Sequence, residues 1–454
     1  MKILIVGAGE VGFHIASHLA RENKDVVVID HNMDAIRRVS DHIDVQTMIG
    51  LGSSPEILDQ AGIQEAEIML AVTNSDETNL VACMVTDILS PSTKKLARVR
   101  SADYDHYSEL FCSNPPHIDT VINPEMELVK TIERLMSVPN ATDVGEFAGG
   151  RVKFIGIRLD DSSPLAGARL LDLPERIKGH RPLIFAIIRE EVLIVPSGKD
   201  RLLPGDLIYF ITDDDHLAES LRHFNMYADP IRRVMIVGGG RIALRLAKRL
   251  ENKSIHTKII EKRNDRCSLI AGKLNRTVVL CGDGSDQALL KEENIQDTDM
   301  VVTLTDEDET NILVSLLAKR LGARKTITKI SKFSYFPLMH AIGIDQVVDP
   351  RLSAVNSILQ HIRRGKVLSS VSIRGEDAEI MEAVALETTD IVGKPLMEVA
   401  FPKGVLVTTI LRGEKVIIPT GRSVVEPNDR IIIFARREAI PKIEKILAVK
   451  LEYF

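Results

Sequence analysis

The chain has 454 residues, of which 44% are hydrophobic and 27% charged, and its formal net charge is −6. This length and composition predict a globular protein of roughly two to four domains. The negative charge gives no reason to expect nucleic-acid binding, and an aromatic content of 4% argues against a base-stacking surface. No uncharged apolar run approaches the about 18 residues of a membrane span. The chain starts directly with a predicted strand, so we expect a cytoplasmic protein without a signal peptide.

The stretch from Lys2 to Asp30 contains, in order, a buried strand, a glycine turn, a helix and a second strand that ends in an acid. This order is the fingerprint of a dinucleotide-binding fold. Gly7 permits the tight turn, Gly9 lets the backbone approach a pyrophosphate, and Gly12 lets the helix pack closely on the strand. Asp30 can accept hydrogen bonds from a ribose 2′-hydroxyl and would repel a 2′-phosphate, which favours NAD(H) over NADP(H).

The same fingerprint occurs again in the second half of the chain. A predicted strand, 233–237, leads into Gly238, Gly240 and Ala243, and a further strand ends at Glu261. The interval from the first glycine to the acid is the same in both copies. A single G-x-G-x-x-G motif is a weak signal, but two copies with their full context predict two nucleotide-binding folds.

Predicted strands and helices alternate after both fingerprints. In such an order the helices connect neighbouring parallel strands, so we predict two Rossmann-like, doubly wound parallel sheets of the α/β class. The amphipathic helices after Pro124 and Pro350 are candidates for contacts between lobes. The further strands are predicted at 45–49, 68–73, 95–99 and 121–122 in the first copy, and at 300–305, 325–330 and 347–348 in the second.

The fourth predicted strand of each copy leads into a nearly identical polar stretch, 73–79 and 305–311. By itself this stretch predicts a polar turn with a helix cap. Thr73 and Thr305 nevertheless follow the carboxyl end of a strand, where open α/β sheets bind their ligands.

The fifth predicted strands each carry a cation, Arg98 in the first copy and Lys329 in the second. Two interpretations stay open for both residues. The cation either contacts a phosphate or forms a salt bridge at the end of the strand.

Short, closely spaced strands replace this alternation between residues 144 and 225, and again at the end of the chain. The turns of the first such region recur in the second, which predicts a repeated small α+β module. The chain therefore reads as N lobe 1, C lobe 1, N lobe 2 and C lobe 2. We place their boundaries at 1–140, 141–227, 228–365 and 366–454.

Neither the cysteines of the chain nor the histidines of the C lobes indicate a metal or catalytic site. None of the four cysteines lies in a C-x-x-C pair, and Cys83 and Cys281 lie in apolar stretches typical of a core. His216 and His223 of C lobe 1 have no counterparts in C lobe 2, and the carboxylates at 213–215 are typical of a solvated loop. We find no nucleophile motif, H-E-x-x-H motif or Walker loop either. We therefore predict a sensor, not an enzyme, with no catalytic and no metal-binding residues.

Several short motifs belong together: residues 7–12, Asp30, the turns 50–53 and 282–285, the stretches 73–79 and 305–311, and residues 97–100. In these motifs, and over essentially the whole sequence, the chain resembles the TrkA family. Members of this family are the cytoplasmic regulatory subunits of bacterial Trk-type potassium uptake systems.

The resemblance implies two fused KTN or RCK domains, each with a nucleotide-binding N lobe and a C lobe. It also implies binding of NAD(H), with ATP or ADP as competing ligands. A homo-oligomer, a tetrameric ring, would lie beneath a membrane potassium-translocating subunit of the TrkH or TrkG type.

The resemblance further implies the residues that hold the nucleotide. In each copy these are the glycine loop for the pyrophosphate, the acid for the ribose, and polar residues after the fourth and fifth strands for the far side. In the first copy they are Gly7, Ala8, Gly9, Glu10, Val11, Asp30, Thr73, Asn74 and Arg98. In the second they are Gly238, Gly239, Gly240, Arg241, Ile242, Glu261, Thr305 and Lys329.

The two copies differ in charge around the loop. Leu51 of the first copy stands where the second has Asp283, and Glu10 stands where the second has Arg241. A basic pair, 262–263, directly follows the acid of the second copy. We therefore hypothesise that the second site tolerates a more phosphate-rich nucleotide, such as ATP or ADP.

Two alternatives come from other classes of protein. An NAD-dependent oxidoreductase would turn over bound NADH with a small carbonyl compound. A structural adaptor would hold permanent nucleotides, and their removal would unfold the protein without altering transport.

Overall fold

The computed structural model of the protein describes residues 1–104, 107–138, 140–190, 192–227, 230–344, 346–362, 367–373 and 377–447. Its contacts divide the chain into two compact units, Met1–Glu127 with Pro350–Arg364, and Leu128–Asp349 with Gly365–Phe454. The four lobe boundaries stay predictions, since these units divide the chain in another way. In the described part of the chain no helix is both long enough and apolar enough to cross a bilayer.

The first unit is built on a six-stranded parallel sheet, as predicted. Its strands are β1 (Lys2–Val6), β2 (Asp25–Asp30), β3 (Gln46–Ile49), β4 (Ile68–Ala71), β5 (Lys94–Arg98) and β6 (Thr120–Ile122). The spatial order β3-β2-β1-β4-β5-β6 is that of the Rossmann fold. Along β2, Val26 and Val28 lie in one hydrophobic core and Val27 and Ile29 in the other. The helices are α1 (Glu10–Arg21), α2 (Met33–His42), α3 (Pro55–Gln60), α4 (Asp76–Leu89) and α5 (Ser108–Ser113).

The next part of the chain forms a five-stranded antiparallel sheet in the second unit. Its strands are β7 (Asp143–Phe147), β8 (Val152–Arg158), β9 (Leu183–Arg189), β10 (Val192–Ile194) and β11 (Leu207–Asp213), in the order β10-β9-β11-β8-β7. Helix α6 (Pro124–Ser137) precedes the sheet, and α7 (Leu173–Arg176) and α8 (Leu217–Arg222) lie within this region.

A second parallel sheet repeats the first. Its strands are β12 (Arg233–Val237), β13 (His256–Glu261), β14 (Val278–Cys281), β15 (Met300–Thr303), β16 (Lys325–Lys329) and β17 (Gln346–Val348), in the order β14-β13-β12-β15-β16-β17. The helices are α9 (Arg241–Asn252), α10 (Asn264–Ala271), α11 (Gln287–Glu292), α12 (Asp308–Arg320) and α13 (Phe336–Ala341). The second Rossmann-like sheet is therefore confirmed.

The two helices that begin with a proline, at Pro124 and Pro350, pack against parts of the chain that are distant in sequence. Helix α14 (Pro350–Ile362) lies in the first unit, where Val355 and Ile358 join the core beneath α1. In the second unit, Ile132 of α6 joins the core beneath α9, and Glu133 accepts a hydrogen bond of 2.5 Å from Arg249. Each helix therefore contributes its apolar side to the other nucleotide fold.

The last region is again a five-stranded antiparallel sheet. Arg189 pairs with Asp206 at 2.7 Å in C lobe 1, and Arg412 pairs with Asp429 at 2.8 Å in C lobe 2, so the repeat extends to single contacts. The two C-lobe sheets share one core, in which the rings of Phe185 and Phe434 lie 5.3 Å apart. The elements are β18 (Val367–Ile373), β19 (Ala378–Val384), β20 (Val405–Arg412), β21 (Lys415–Ile417), β22 (Arg430–Arg436) and α15 (Ile440–Leu447), in the strand order β18-β19-β22-β20-β21.

The sequence analysis missed the edge strands β7 and β18. Both pair with one neighbour only, and both mix polar with apolar residues. Gly145 of β7 is also untypical of a strand, and a Cβ atom there would overlap the ring of Phe154. The strand is therefore set by packing against β8 and not by its own propensity.

The interpretation of Cys281 as a core residue was wrong, whereas Cys83 is buried as expected. Cys281 ends the edge strand β14, is exposed, and forms a disulfide with Cys267 of α10. Spacing rules detect cysteine pairs that are close in sequence, and these two are brought together by the fold. The first copy has Ile36 and Ile49 at the corresponding places.

Candidate functional site

The first glycine loop has the backbone that the fingerprint predicts. Gly7 has a φ of +113°, and a Cβ atom there would lie 2.9 Å from the backbone nitrogen of Thr73. At Gly12 a Cβ atom would overlap the carbonyl oxygen of Gly7, so the start of α1 packs directly on the loop. Gly9 has open space beside it, as a surface that receives a ligand requires. The N-terminus of α1 therefore opens at the loop, with backbone N–H groups that suit an anion.

Each acid at the end of the second strand is hydrogen-bonded to its own glycine loop. Asp30 accepts from the backbone nitrogen of Ala8 at 2.7 Å and from that of Asn32 at 2.8 Å. Glu261 accepts from Gly239 at 2.7 Å and from Arg263 at 2.9 Å. A carboxylate has about four lone-pair sites, so both acids keep capacity for a ribose hydroxyl.

A buried asparagine that the sequence analysis did not single out organises the carboxyl ends of β4 and β5. The Oδ1 atom of Asn79 accepts from the backbone nitrogen of Thr73 at 2.8 Å and from its hydroxyl at 2.7 Å. Its Nδ2 group donates to the carbonyl oxygens of Thr73 at 3.1 Å and Arg98 at 2.8 Å. Asn311 makes the corresponding four contacts with Thr305 and Lys329. The duplicated Thr-x-x-x-Glu-Thr-Asn stretch contained this signal.

The aspartate at the start of the following helix holds the loop after the fifth strand. Asp76 accepts from the backbone nitrogens of Arg100 and Ser101 at 3.0 and 2.9 Å. Asp308 accepts from those of Ser331 and Lys332, both at 2.9 Å. The first polar stretch is also a helix cap, as its simpler interpretation predicted, since the Ser75 hydroxyl accepts from the backbone nitrogen of Thr78 at 3.1 Å. The cap residue of the second stretch, Glu307, makes no such side-chain bond.

Arg98 is a half-buried cation at this edge. Its Nη1 group donates to the carbonyl oxygen of Val72 at 3.4 Å, and Val72 lies against Gly7. Its Nε atom is buried without a hydrogen-bond partner, and Arg98 forms no salt bridge within the described residues. Burial and, to a lesser extent, the charge of Arg100 lower the pKa of Arg98 to about 10, against the attraction of Asp76 and Glu125. The structure therefore does not support the salt-bridge interpretation for Arg98.

Lys329 differs from Arg98 in having a carboxylate within 4.0 Å. Its Nζ atom lies 3.9 Å from the Oδ1 atom of Asp306, a fully exposed side chain. Both cations lie at the carboxyl ends of their strands, next to the threonines held by Asn79 and Asn311.

The first loop is surrounded by arginines that carried no sequence signal. Arg38 of α2 donates to the Glu10 carboxylate at 2.5 Å and to the carbonyl oxygen of Ala8 at 3.2 Å. Arg351 of α14 lies 3.2 Å from the other Glu10 oxygen. Burial raises the pKa of Glu10, but the hydrogen bond and charge of Arg38, with the charges of Arg351 and His14, hold it below its usual range. Glu10 is thus an ionised side chain that binds two arginines beside the loop.

The cations of the second loop are engaged in other contacts. Lys262 donates to Asp283 at 2.9 Å, and the Nε atom of Arg263 lies 3.6 Å from the Glu261 carboxylate. The hydrogen bonds from Ser285 and then Lys262 lower the pKa of Asp283 to about 2. Arg266 of α10 donates to the carbonyl oxygen of Gly239 at 2.6 Å, as Arg38 does at the first loop from a different helix position.

The remaining predicted residues lie beside the loops. Val11 is buried and Ile242 half-buried in the first turn of their helices, and Arg241 is the exposed first residue of α9. Asn74 is exposed, and its carbonyl oxygen accepts from Arg100. The structure therefore brings each predicted set to one edge of its sheet.

The TrkA-N domain model matches residues 3–124 and 234–350, and the TrkA-C domain model matches residues 154–225 and 380–448. Among solved structures, the chain is similar to "GsuK channel bound to NAD", with a TM-score of 0.60 and 17% identity over 98% of this chain and 78% of that chain. At this identity the likeness concerns the fold.

Two curated relatives match nearly end to end. One is the Trk system potassium uptake protein TrkA of Halomonas elongata, 37% identical over 100% of both chains. The other is the Trk system potassium uptake protein TrkA homolog 1 of Methanosarcina mazei, 37% identical over 98% of this chain and 99% of that protein. With the duplicated domain matches, these relatives show that the chain belongs to the TrkA family.

Proposed function

We propose that this chain is a cytoplasmic regulatory subunit that reads nucleotides and gates a potassium transporter of the Trk type. It acts as a homotetrameric ring on the inner face of the membrane, bound to a potassium-translocating subunit of the TrkH or TrkG type. The curated relatives, matched over nearly their whole length, are potassium uptake proteins by name, which supports the transport role.

The observation that carries the nucleotide proposal is the state of Arg98. A half-buried guanidinium with an unsatisfied Nε atom is unfavourable unless an anion approaches it. The open side of Gly9 and the N-terminus of α1 provide the complementary anion site on the same edge of the sheet. A pyrophosphate between the loop and Arg98 would satisfy both.

The acids select the nucleotide in this proposal. Asp30 and Glu261 stand at the ends of β2 and β13, each fixed by a backbone N–H group of its glycine loop. This is the position from which a carboxylate binds the ribose hydroxyls of NAD(H) and repels a 2′-phosphate. The full proposed sets are those given in the sequence analysis.

The second site is proposed to accept ATP or ADP as well as NAD(H). Arg241 places a positive charge where the first loop has Glu10, and this charge favours additional phosphate. Lys262 and Arg263 support the idea less than the sequence suggested, because carboxylates already engage them.

Calorimetric titration of purified protein tests the binding half of the proposal. NADH, NAD⁺, ATP and ADP are titrated into wild type, Asp30→Ala, Glu261→Ala and the control Asp25→Ala, an exposed acid at the other end of β2. We expect each site variant to lose one class of site and the control to match wild type. Identical nucleotide preferences at both sites would contradict the assignment of ATP and ADP to the second site.

Potassium uptake in cells that lack their own regulator tests the transport half. Wild type should restore uptake, and the Asp30→Ala, Glu261→Ala double variant should change its dependence on cellular nucleotides. If wild type has no effect on uptake while NADH still binds, the transport role fails and a screen for carbonyl substrates becomes the next experiment.

A further inference from the structure

We propose that C lobe 1 contains a binding site for a divalent transition-metal ion, Zn²⁺, with His180, Asp213 and His216 as its ligands. The three side chains come from separate elements: the segment before β9, the last residue of β11 and the residue before α8. One ligand atom from each residue lies within 4.8 Å of the other two. The inference reverses the prediction that the chain has no metal site, and it does not depend on the nucleotide proposal.

The two imidazole rings present the same edge to one carboxylate. They are stacked, with centroids 4.2 Å apart and planes 8° from parallel. The Nδ1 atom of His216 lies 2.6 Å from Oδ1 of Asp213, and the Nδ1 atom of His180 lies 3.9 Å from Oδ2. The second separation is too long for a hydrogen bond, and an ion with bonds of about 2.0–2.2 Å could join its two atoms. Binding would require one of the parallel rings to turn its Nδ1 lone pair towards the ion, and the ion would replace the proton that His216 shares with Asp213.

A hydrogen-bonded neighbour orients His180 for such a role. Its Nε2 atom lies 3.1 Å from the Thr212 hydroxyl, which in turn lies 3.0 Å from the Ser220 hydroxyl. When Nε2 carries the proton and donates to Thr212, the lone pair of Nδ1 is directed at the Asp213 carboxylate. Metal-bound histidines are commonly oriented in this way by a partner on the second ring nitrogen.

The cluster opens on an acidic cleft of about 500 Å³, lined by Asp213 and His216. Glu146, Asp214, Asp215 and Glu414 contribute carboxylates to the cleft, against the two cations Arg151 and Lys153. The excess of negative charge attracts a cation, and the cleft leaves room for water as a fourth ligand.

C lobe 2 provides a natural comparison. Its strand β22 corresponds to β11, so Arg436 stands where C lobe 1 has Asp213, and Ala439 stands where it has His216. A guanidinium and a methyl group cannot bind a cation. The fold of the C lobe therefore does not require Asp213 or His216, and we expect one ion per chain.

Two imidazoles and one carboxylate suit Zn²⁺ better than Ca²⁺ or Mg²⁺, which prefer oxygen ligands. Because the ligands join three elements of the lobe, a bound ion would also stabilise the folded state. Binding and thermal stability are therefore two separate readouts of the same site.

The test uses the tag-free full-length chain, treated with a chelator and dialysed. ZnCl₂, CaCl₂ and MgCl₂ are titrated calorimetrically into wild type, Asp213→Asn, His216→Ala, Thr212→Val and the control His256→Gln, an exposed histidine on β13. We expect one Zn²⁺ per chain and a higher Tm with zinc for wild type and control. Thr212→Val removes the hydroxyl that orients His180 and should weaken zinc binding by about 10–100-fold. The ligand variants should weaken zinc binding by more.

The metal-free Tm of each variant shows whether that variant is folded. If Asp213→Asn does not fold, His216→Ala decides the test, because His216 is half-exposed and its loss should not disturb the fold. Zinc affinity that remains in His216→Ala would place the ion elsewhere and would overturn the proposal. Failure of wild type to bind Zn²⁺ would overturn it as well.

Discussion

The two nucleotide folds share a backbone and differ in where their charges go. In both, a glycine with positive φ, an acid bonded to the loop and a buried asparagine build the same edge. In the first fold the guanidinium of Arg98 forms no salt bridge among the residues described. In the second, Lys262 and Lys329 each have a carboxylate within 4.0 Å.

This difference separates what builds the site from what selects the ligand. Backbone geometry depends on the first two glycines of the motif and on the asparagine amide, which have few substitutes, so both copies keep these residues. A charged side chain at the rim is replaceable without loss of the fold, so the copies can diverge there. Substitutions of the first kind should therefore lower the stability of the fold, and substitutions of the second kind should mainly change nucleotide binding.

Loss of the buried asparagine should damage both folds. In Asn79→Ala and Asn311→Ala several backbone groups, most of them partly buried, lose their partner, and each costs up to about 1–3 kcal/mol. We expect a clear fall in Tm, measured by circular dichroism, for both variants. Asn74→Ala, an exposed neighbour, should leave the Tm unchanged. A fall for only one of the two asparagines would show that the folds are not built alike.

The third position of the motif should separate the two copies. Gly12→Ala places a methyl group against the Gly7 carbonyl and should cost about 1–3 kcal/mol by overpacking, together with loss of NADH binding at the first site. The second copy already accommodates Ala243, so Ala243→Gly should cost only about 1 kcal/mol, as glycine does inside a helix. Denaturant unfolding and NADH titration measure both effects; a harmless Gly12→Ala would refute the close packing.

Neutralising the two rim cations should have unequal effects on binding. Arg98→Gln should weaken NADH at the first site by about tenfold or more, the worth of a hydrogen bond to a charged group, without lowering the Tm of the free protein. Lys329→Gln should have a smaller effect, because Asp306 already offsets part of the lysine charge. Equal losses in calorimetry would show that the nearby carboxylate does not matter.

The smallest effect concerns the pH dependence around Asp283. Its pKa lies at about 2 in the folded state, below the ordinary 3.8. The carboxylate therefore stabilises the fold above the ordinary pKa, and this stabilisation is lost as the pH falls towards 2. The Tm difference between wild type and Asp283→Asn should be constant from pH 7 to about pH 5 and should shrink below pH 4. Leu51→Asn, in the first copy, should show no such dependence; a constant difference for Asp283→Asn would contradict the pKa.

Local patterns were sufficient for most of the fold. The alternation of strands and helices predicted both parallel sheets, and the repeated turns predicted both C lobes. The edge strands β7 and β18 were not predicted, because edge strands lack the apolar run of a buried parallel strand. The packing of α14 within the first unit could be suspected from its amphipathic sequence but not assigned to a partner.

The residues of the candidate site also fall into a group that local patterns predicted and a group that they did not. Glycines, acids and strand-end cations were visible because each has a fixed distance in sequence from the others. Arg38, Arg351 and Arg266 were not, since they reach the glycine loops from helices elsewhere in the chain. The meeting of His180 with Asp213 and His216 was hidden for the same reason, as was the pairing of Cys267 with Cys281.

Two nucleotide folds and two small C lobes could be predicted from the amino-acid sequence, because glycine geometry and hydrophobic periodicity act over a few residues. Which charges are paired, which helix covers which sheet and which histidines meet could be seen only in the folded chain. These depend on contacts between residues far apart in the chain, and side-chain chemistry does not reveal such distances until the backbone is folded.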